Sequence, residues 1–211
     1  YRHADSSWIK TFKNIKPIMD FFPDYIPNPY LQYYLLPDTV VQSSDKSYTR
    51  ANEVMDGREK SLFDTVRKFE ETGILEDAFH VGVHGIFIVD VTVSLAHNLA
   101  ERHLVMVENN GTIPNLPADA MIEVPALITS DGPVPIYVGE IPAFHRAMID
   151  QQLASEKILV EAITEGSYEK ALQAFTLNKT IPSANVAKKV LDDLIEANKE
   201  YWPTLKKAYR Q

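Results

Sequence analysis

The sequence predicts an α+β fold in which helices pack around a small, mostly antiparallel sheet. Segments with the apolar spacing of helices occupy both ends of the chain, and three short extended segments lie between them. The turn sequences Asn109-Asn110-Gly111 and Asp131-Gly132 separate the extended segments and suit hairpin-like connections. At 211 residues, with 45% hydrophobic and 24% charged residues, the chain can enclose a sizeable core. No repeat or linker divides it, so we expect one unit over residues 1–211.

The N-terminal region reads as one helix followed by proline-rich turns. Asp5, Ser6 and Ser7 can cap a helix that ends near Pro17. Four further prolines exclude a continuous helix after it: Pro23, Pro27, Pro29 and Pro37. We therefore predict that residues 28–38, an aromatic segment, form a loop or broken turns.

Two long helices are expected next. The first begins at Asp45 or Ser47 and ends at Gly73, a residue type that favours helix C-termini. Its buried side is marked by four residues: Val54, Leu62, Val66 and Phe69. The second runs from about Glu76 to Arg102 and is apolar on nearly every side, which predicts a central, buried helix.

Strands and then helices complete the predicted order of elements. The extended segments are Leu104 to Val107, Ala120 to Ile128 and Pro135 to Val138. The last third is helical again over three segments: Pro142 to Glu165, Ser167 to Leu177 and Ser183 to Glu200.

Charge and composition exclude several classes of function. A net charge of −8 argues against non-specific nucleic-acid binding, which depends on a basic face. The most apolar stretch, residues 85–96, is too short to span a bilayer and contains Asp90. With no cysteine the chain has no disulfide and no thiolate metal site, which suits a cytoplasmic protein.

Tyr30 and Arg50 are the candidates for chemistry. A tyrosine acts as a general base only as its phenolate, which is costly at neutral pH because its ordinary pKa is about 10. A nearby cation such as Arg50 would stabilise the phenolate. The alternative is that Tyr30, Tyr33 and Tyr34 serve packing. Arg50 stands at an expected helix start, where phosphate binds readily, although an exposed salt bridge to an acidic neighbour is the simpler explanation.

Other polar residues receive no role from the sequence. His80 and His84 have the spacing of a metal pair on a helix, but a matching third ligand is missing. Asn109 and Asn110 open a polar loop that either faces a ligand or forms a plain turn. Glu123 lies within an apolar strand and needs a partner if it is buried.

Five segments carry a family resemblance, and the first two contain Tyr30 and Arg50: residues 28–38, 48–55, 107–111, 165–168 and 187–199. They resemble the C-terminal part of glycoside hydrolase family 4, most closely its 6-phospho-α-glucosidase branch, over nearly all of the chain. The resemblance implies a fold like the C-terminal domains of lactate and malate dehydrogenases.

The resemblance also implies a mechanism that needs NAD and a divalent metal, usually manganese (Mn²⁺). Family members oxidise the 3-hydroxyl of the sugar, remove the proton at carbon 2, eliminate the leaving sugar, add water and reduce the ketone. Tyr30 falls where this branch carries the base that takes the carbon-2 proton. Arg50 falls where it carries an arginine that contacts the substrate, which we assign to the 6-phosphate.

The family's other functional parts are expected upstream of Tyr1. They are the NAD-binding Rossmann domain, a metal-binding cysteine and histidine, and the proposed acid, and none is found in this chain. We therefore expect a C-terminal catalytic and oligomerisation domain that is inactive alone, acts on phosphorylated disaccharides in the whole enzyme, and forms a homodimer or homotetramer. The alternatives are a 6-phospho-β-glucosidase or α-galactosidase of the same family, or a non-catalytic sugar-phosphate-binding or oligomerisation module.

Overall fold

The computed structural model describes residues 6–74 and 82–207. Within these residues the fold contains eight helices and a three-stranded sheet. The helices are α1 (Ser6–Phe21), α2 (Leu31–Leu35), α3 (Pro37–Ser43), α4 (Arg50–Thr72), α5 (Val83–His97), α6 (Ala143–Glu165), α7 (Tyr168–Leu177) and α8 (Ala184–Ala197). The strands are β1 (Glu101–Glu108), β2 (Met121–Thr129) and β3 (Gly132–Pro135). The predicted α+β class is confirmed.

Helix α1 passes through Pro17 and ends at Phe21, so its predicted end near Pro17 is wrong. A proline inside a helix costs about 3 kcal/mol because it lacks a backbone N–H and its ring clashes with the preceding turn. Ile15 and Ile18, on either side of Pro17, are both buried. Because a buried isoleucine contributes about 1.5–3 kcal/mol, their packing offsets the local cost. The predicted capping residue Asp5 lies outside the described residues.

The aromatic segment is more regular than its prolines suggest. As predicted, no continuous helix crosses it, but two short helices form there, α2 and α3, and Pro37 is the first residue of α3. Proline is favoured at a helix start because its fixed φ suits the helix and its missing N–H would have no partner there. Helix α2 packs against α1 and α3 and thereby fixes the aromatic segment.

The sheet is antiparallel in the order β1-β2-β3, as predicted. In its register Val105 pairs with Val124, and Thr129 pairs with Gly132 across a two-residue turn. The prediction of a third strand from Pro135 to Val138 is wrong, because β3 begins directly after this turn and ends at Pro135. Beyond it Ile136 N–H still donates to the carbonyl of Pro125 in β2, whereas Val138 N–H donates to the carbonyl of Thr112 in the loop between β1 and β2. A core cluster on one face of the sheet contains Val107, Ile113, Leu116, Ala120, Ile122 and Val124.

The three C-terminal helices agree with the prediction to within three residues at each end. Ser167 and Ser183 cap α7 and α8 by accepting the backbone N–H groups of Lys170 and Val186, both at 3.3 Å. Gly166 ends α6 in the left-handed conformation, with φ of 67°. A second core cluster joins the three helices around Ala162, Tyr168, Ala171 and Leu191.

The predictions of burial for α4 and α5 are wrong. Helix α4 ends before Gly73 as expected, but it contains no buried residue, and Leu62 on its predicted buried side is exposed. Residues 75–81, where the next helix was predicted to begin, lie outside the described residues. In α5 the run Ile86-Phe87-Ile88-Val89 is between 42% and 63% exposed, and only Ser94 is buried.

The exposed surface of the whole chain is also large for its mass. The chain exposes 16015 Å², whereas a compact monomer of its mass, 23.9 kDa, exposes about 10,000 Å². The exposed residues include many large hydrophobic ones, and contiguous exposed apolar surface is typical of contacts with other protein surfaces. Apolar periodicity predicts that a helix face is buried, but it does not indicate whether residues of this chain or of another protein surface bury it.

Candidate functional site

Tyr30 projects from a fixed piece of backbone. It immediately precedes α2, and its N–H donates to Asn28 Oδ1 at 2.9 Å. Gln32 is buried, and its side-chain amide donates to the carbonyl of Pro29 at 3.0 Å. The Tyr30 side chain itself is 70% exposed. A residue that acts on a bound molecule needs a fixed backbone and an accessible side chain, and Tyr30 has both.

Arg50 is the first residue of α4, as predicted. Its guanidinium forms an ion pair with Glu53 at 2.7 Å, so the salt bridge considered from the sequence is present. The backbone entering the helix is fixed because Thr49 N–H donates to Asn52 Oδ1 at 3.0 Å. Glu53 raises the pKa of Arg50, and Tyr33 and Tyr30 raise it further by smaller amounts. Arg50 is therefore a permanent cation at the positive end of a 23-residue helix.

The structure brings Tyr30 and Tyr33 together on one exposed surface. The ring centroids of Tyr30 and Tyr33 are 6.2 Å apart with an angle of 33° between the ring planes. Tyr34, by contrast, is half-buried. Phenolic hydroxyls can donate to and accept from a polar molecule, and a guanidinium binds anions such as phosphate.

Tyr33 was not singled out from the sequence, which offered packing as the alternative for all three tyrosines. It is 43% exposed and lies beside Tyr30. The available signal was the three-residue spacing between the two tyrosines, which places them on one face if the segment is helical. The flanking prolines favoured a loop prediction and obscured that spacing.

Asn109 has a structural role that the sequence left open. It is fully buried, and its amide donates to the carbonyls of Ile113, Leu116 and Pro117 at 3.0 to 3.1 Å. Its Oδ1 accepts Ile113 N–H at 2.7 Å. The residue thus organises the loop between β1 and β2 and is satisfied within it. Asn110 is exposed.

The remaining polar candidates do not form a site. Glu123 is exposed on the sheet, so it needs no buried partner, and His84 is exposed on α5. His80 lies outside the described residues. No helix in the described ranges is long and apolar enough to cross a membrane.

The residues that the structure describes do not fit the cofactors that the family resemblance implies. Among them no group of three or more His, Cys, Asp or Glu residues could hold a metal ion. Nor does the sequence contain the Gly-rich strand-turn-helix fingerprint of a dinucleotide site.

Comparison with known proteins identifies the class to which this fold and surface belong. Residues 1–181 match the family 4 glycosyl hydrolase C-terminal domain. The chain therefore belongs to family 4 of the glycosyl hydrolases, and it corresponds to the C-terminal domain of that family.

Individual relatives narrow the resemblance within the family. The chain is 51% identical over 206 residues to the maltose-6′-phosphate glucosidase of Fusobacterium mortiferum. The alignment covers 97% of this chain and 47% of that protein. It is similar to the crystal structure of a 6-phospho-α-glucosidase from gut microorganisms in complex with NAD and glucose-6-phosphate. The TM-score is 0.88 at 53% identity, over 96% of this chain and 46% of the other.

A second such enzyme, in complex with NAD and Mn²⁺, gives a TM-score of 0.89 at 42% identity, over 97% of this chain and 47% of the other. The chain spans about half the length of the relatives that it matches.

Proposed function

We propose that this chain is the substrate-side half of a 6-phospho-α-glucosidase that hydrolyses maltose 6′-phosphate and related phosphorylated α-glucosides. The observation that carries the proposal is the exposed pair of Tyr30 and Tyr33, with Arg50 at the start of α4, in a chain about half identical to a maltose-6′-phosphate glucosidase. Both structures named above are of 6-phospho-α-glucosidases, and the relative is a maltose-6′-phosphate glucosidase. These names favour an α-glucosidase over a β-glucosidase.

Tyr30 is proposed to remove the proton from carbon 2 of the bound sugar. Ionising a phenol with an ordinary pKa of about 10 costs about 4 kcal/mol at pH 7, at 1.36 kcal/mol for each pH unit. The positive charge of Arg50 stabilises the phenolate and lowers that cost. The exposed hydroxyl of Tyr30 can approach a substrate, while the hydrogen bonds around Asn28 and Gln32 hold the backbone in place.

Arg50 is proposed to hold the 6-phosphate. A guanidinium offers two parallel donors to a phosphate, and the N-terminus of α4 adds a favourable dipole. The ion pair with Glu53 does not prevent this role, because both side chains are exposed. Such pairs contribute only about 0–1 kcal/mol, so a doubly charged phosphate can compete for the guanidinium.

The rest of the enzyme is proposed to come from outside this chain. NAD and manganese, which the relatives' structures contain, would supply the oxidation and the metal-assisted chemistry in the upstream half. The exposed α4 and α5 surfaces would then pack on that half or on another subunit of a homodimer or homotetramer. A cytoplasmic location stays a prediction from the cysteine-free sequence.

The proposal is tested in a polypeptide of the relatives' full length that carries this chain. Hydrolysis of maltose 6′-phosphate should require both NAD and manganese. Activity without NAD, or no activity on any phosphorylated glucoside, would contradict the proposal. Calorimetry that detects sugar-phosphate binding without turnover would favour a non-catalytic binding module.

Arg50→Ala tests the phosphate contact in the same polypeptide. It should weaken phosphorylated substrates by roughly tenfold or more, since hydrogen bonds to charged groups contribute about 1.5–3 kcal/mol. Arg58→Ala is the matched control, because Arg58 is also exposed on α4. An equal loss on phosphorylated and unphosphorylated substrates would count against a phosphate role for Arg50.

A further inference from the structure

The outer face of the sheet is apolar. Side chains alternate between the two faces of a strand, and the buried residues of β2, such as Val124, define the inner face. An antiparallel sheet with one solvated face normally presents polar residues on that face. Here the outer face carries large hydrophobic side chains that are between 36% and 59% exposed: Leu104, Met106, Met121, Leu127 and Val134. Such a composition is typical of a surface that another protein surface covers.

The described helices that pack on the sheet do so on its inner face. The ring of Phe87 in α5 contacts His103 at a centroid distance of 5.8 Å, and His103 lies on the same side of β1 as the buried Val107. Leu153 in α6 packs against the core cluster on this side as well. These contacts leave the outer face open, so a cover for it has to come from another polypeptide surface.

The charged residues of the outer face are divided between its two ends. Arg102 lies at one end of β1, and Glu108 lies six residues further on, about 20 Å along the strand. Glu123 is on the same half of the face as Glu108, because it pairs with Met106. All three charged side chains are exposed, and the described residues provide no ion-pair partner for Arg102. One half of the face is therefore cationic and the other half anionic.

This distribution of charge is complementary to itself. Val105 pairs with Val124 at the middle of the face, midway between Arg102 and Glu108. Consider a two-fold axis at this level that runs perpendicular to the strands, between two sheets stacked about 10 Å apart. It places β1 against β1 of a second copy, running in the opposite direction. Arg102 of one copy then lies opposite Glu108 of the other and near its Glu123, and the hydrophobic residues of the two faces meet.

We propose that the outer face of the sheet is an interface between two copies of this chain, in which Arg102 of each copy pairs with Glu108 of the other. The proposal names the surface behind the homodimer proposed above and does not depend on the substrate of the enzyme. A different surface, such as that of the upstream half, would not require the two halves of this face to complement each other. A two-fold interface requires it, because every contact between residues occurs twice.

Charge reversal in the polypeptide of the relatives' full length tests the interface, by sedimentation velocity over a series of concentrations. Arg102→Glu brings carboxylates together at both ends of the interface, and Glu108→Arg brings guanidinium groups together. Each variant should raise the dissociation constant of the dimer roughly tenfold or more, because like charges replace an ion pair twice in each dimer. Lys179→Glu is the matched control, since Lys179 is exposed in the loop after α7, and it should leave the dissociation constant unchanged.

Mixing the two variants distinguishes this interface from contacts within one chain. In a mixed dimer the introduced carboxylate faces the introduced guanidinium at one end, and the native pair remains at the other. The mixture should therefore associate about as tightly as wild type, which would also show that both variants are folded. A monomeric wild type, single variants that associate like wild type, or no recovery on mixing would overturn the proposal. Hydrolysis of maltose 6′-phosphate by a polypeptide that fails these tests would overturn the interface alone.

Discussion

Replacing Asn109 with Asp should destabilise the chain strongly although the two side chains have the same shape. The Asn109 amide nitrogen lies 3.0 to 3.1 Å from three carbonyl oxygens. In the variant a carboxylate oxygen takes its place and cannot donate to any of them. The acceptor side is unaffected, because the other oxygen still receives Ile113 N–H.

The magnitude follows from the bonds that are lost. The two N–H groups of the amide are shared among three carbonyls, so about two hydrogen bonds at about 1 kcal/mol each are lost. Burying a carboxylate against these carbonyl oxygens adds about 1–3 kcal/mol, so we expect 3 to 5 kcal/mol at pH 7. Burial raises the pKa of the new carboxyl above its ordinary value of about 3.9. A raised pKa in the folded state means that stability falls as pH rises through it. The deficit should therefore shrink towards pH 4, where a protonated carboxyl can donate to one carbonyl.

Urea unfolding of wild type and variant between pH 4 and pH 7 measures the effect. Asn178→Asp is the matched control, because the Asn178 side chain acts as an acceptor towards Thr180 and a carboxylate preserves those contacts. It should change stability by less than about 0.5 kcal/mol. If Asn109→Asp were as mild as this control, or if its deficit did not depend on pH, the buried amide would not organise the loop as described.

Two further predictions concern the C-terminal helices. Burial, and then the hydrogen bond to Asp192, raise the pKa of Tyr168 to about 12, so stability should fall by roughly 2 to 3 kcal/mol between pH 10 and pH 12. In urea unfolding the fall should be larger by this amount in wild type than in Tyr168→Phe, because other groups titrate in both, and parallel curves would contradict it. Gly166→Ala should cost more than Gly73→Ala, although both glycines have φ near 68°, because a Cβ at Gly166 would lie 3.1 Å from the Thr204 carbonyl while no atom of the described residues lies within 4 Å of a Cβ at Gly73. Equal losses of about 1–2 kcal/mol would leave only the backbone cost.

Local signals made the C-terminal helices predictable. Ser167 and Ser183 cap their helices, and Gly166 ends one in a conformation that glycine tolerates. These residue types predict the helix bounds without knowledge of the fold. Pro17 shows the limit of such signals. Its cost to the helix is local, but the burial of Ile18 that outweighs it depends on the fold.

Helix α5 shows a different limit. Its apolar residues predict a buried helix, but within the described residues most of that surface is exposed. Burial depends on the partner surface as well as on the helix, and one chain's sequence contains only half of that information. The total exposed area reveals the difference.

The candidate site divides in the same way. Tyr30 and Arg50 were singled out by their chemistry and by a family resemblance. The pairing of Tyr30 with Tyr33 required the short helix α2, whose flanking prolines predicted a loop. The sequence did not decide whether Asn109 faces a ligand or forms a plain turn. Its hydrogen-bond partners lie up to eight residues away, and no spacing rule specifies them.

The most direct test of the account is whether Tyr30 takes the proton from carbon 2. The full-length polypeptide would hydrolyse maltose 6′-phosphate in deuterated water with NAD and manganese, and the glucose 6-phosphate released would be analysed for deuterium at carbon 2. The account predicts deuterium with wild type, and for Tyr30→Phe a loss of turnover of about 10² to 10⁴ with the affinity for glucose 6-phosphate kept. Near-normal turnover by Tyr30→Phe, with deuterium still entering carbon 2, would contradict it.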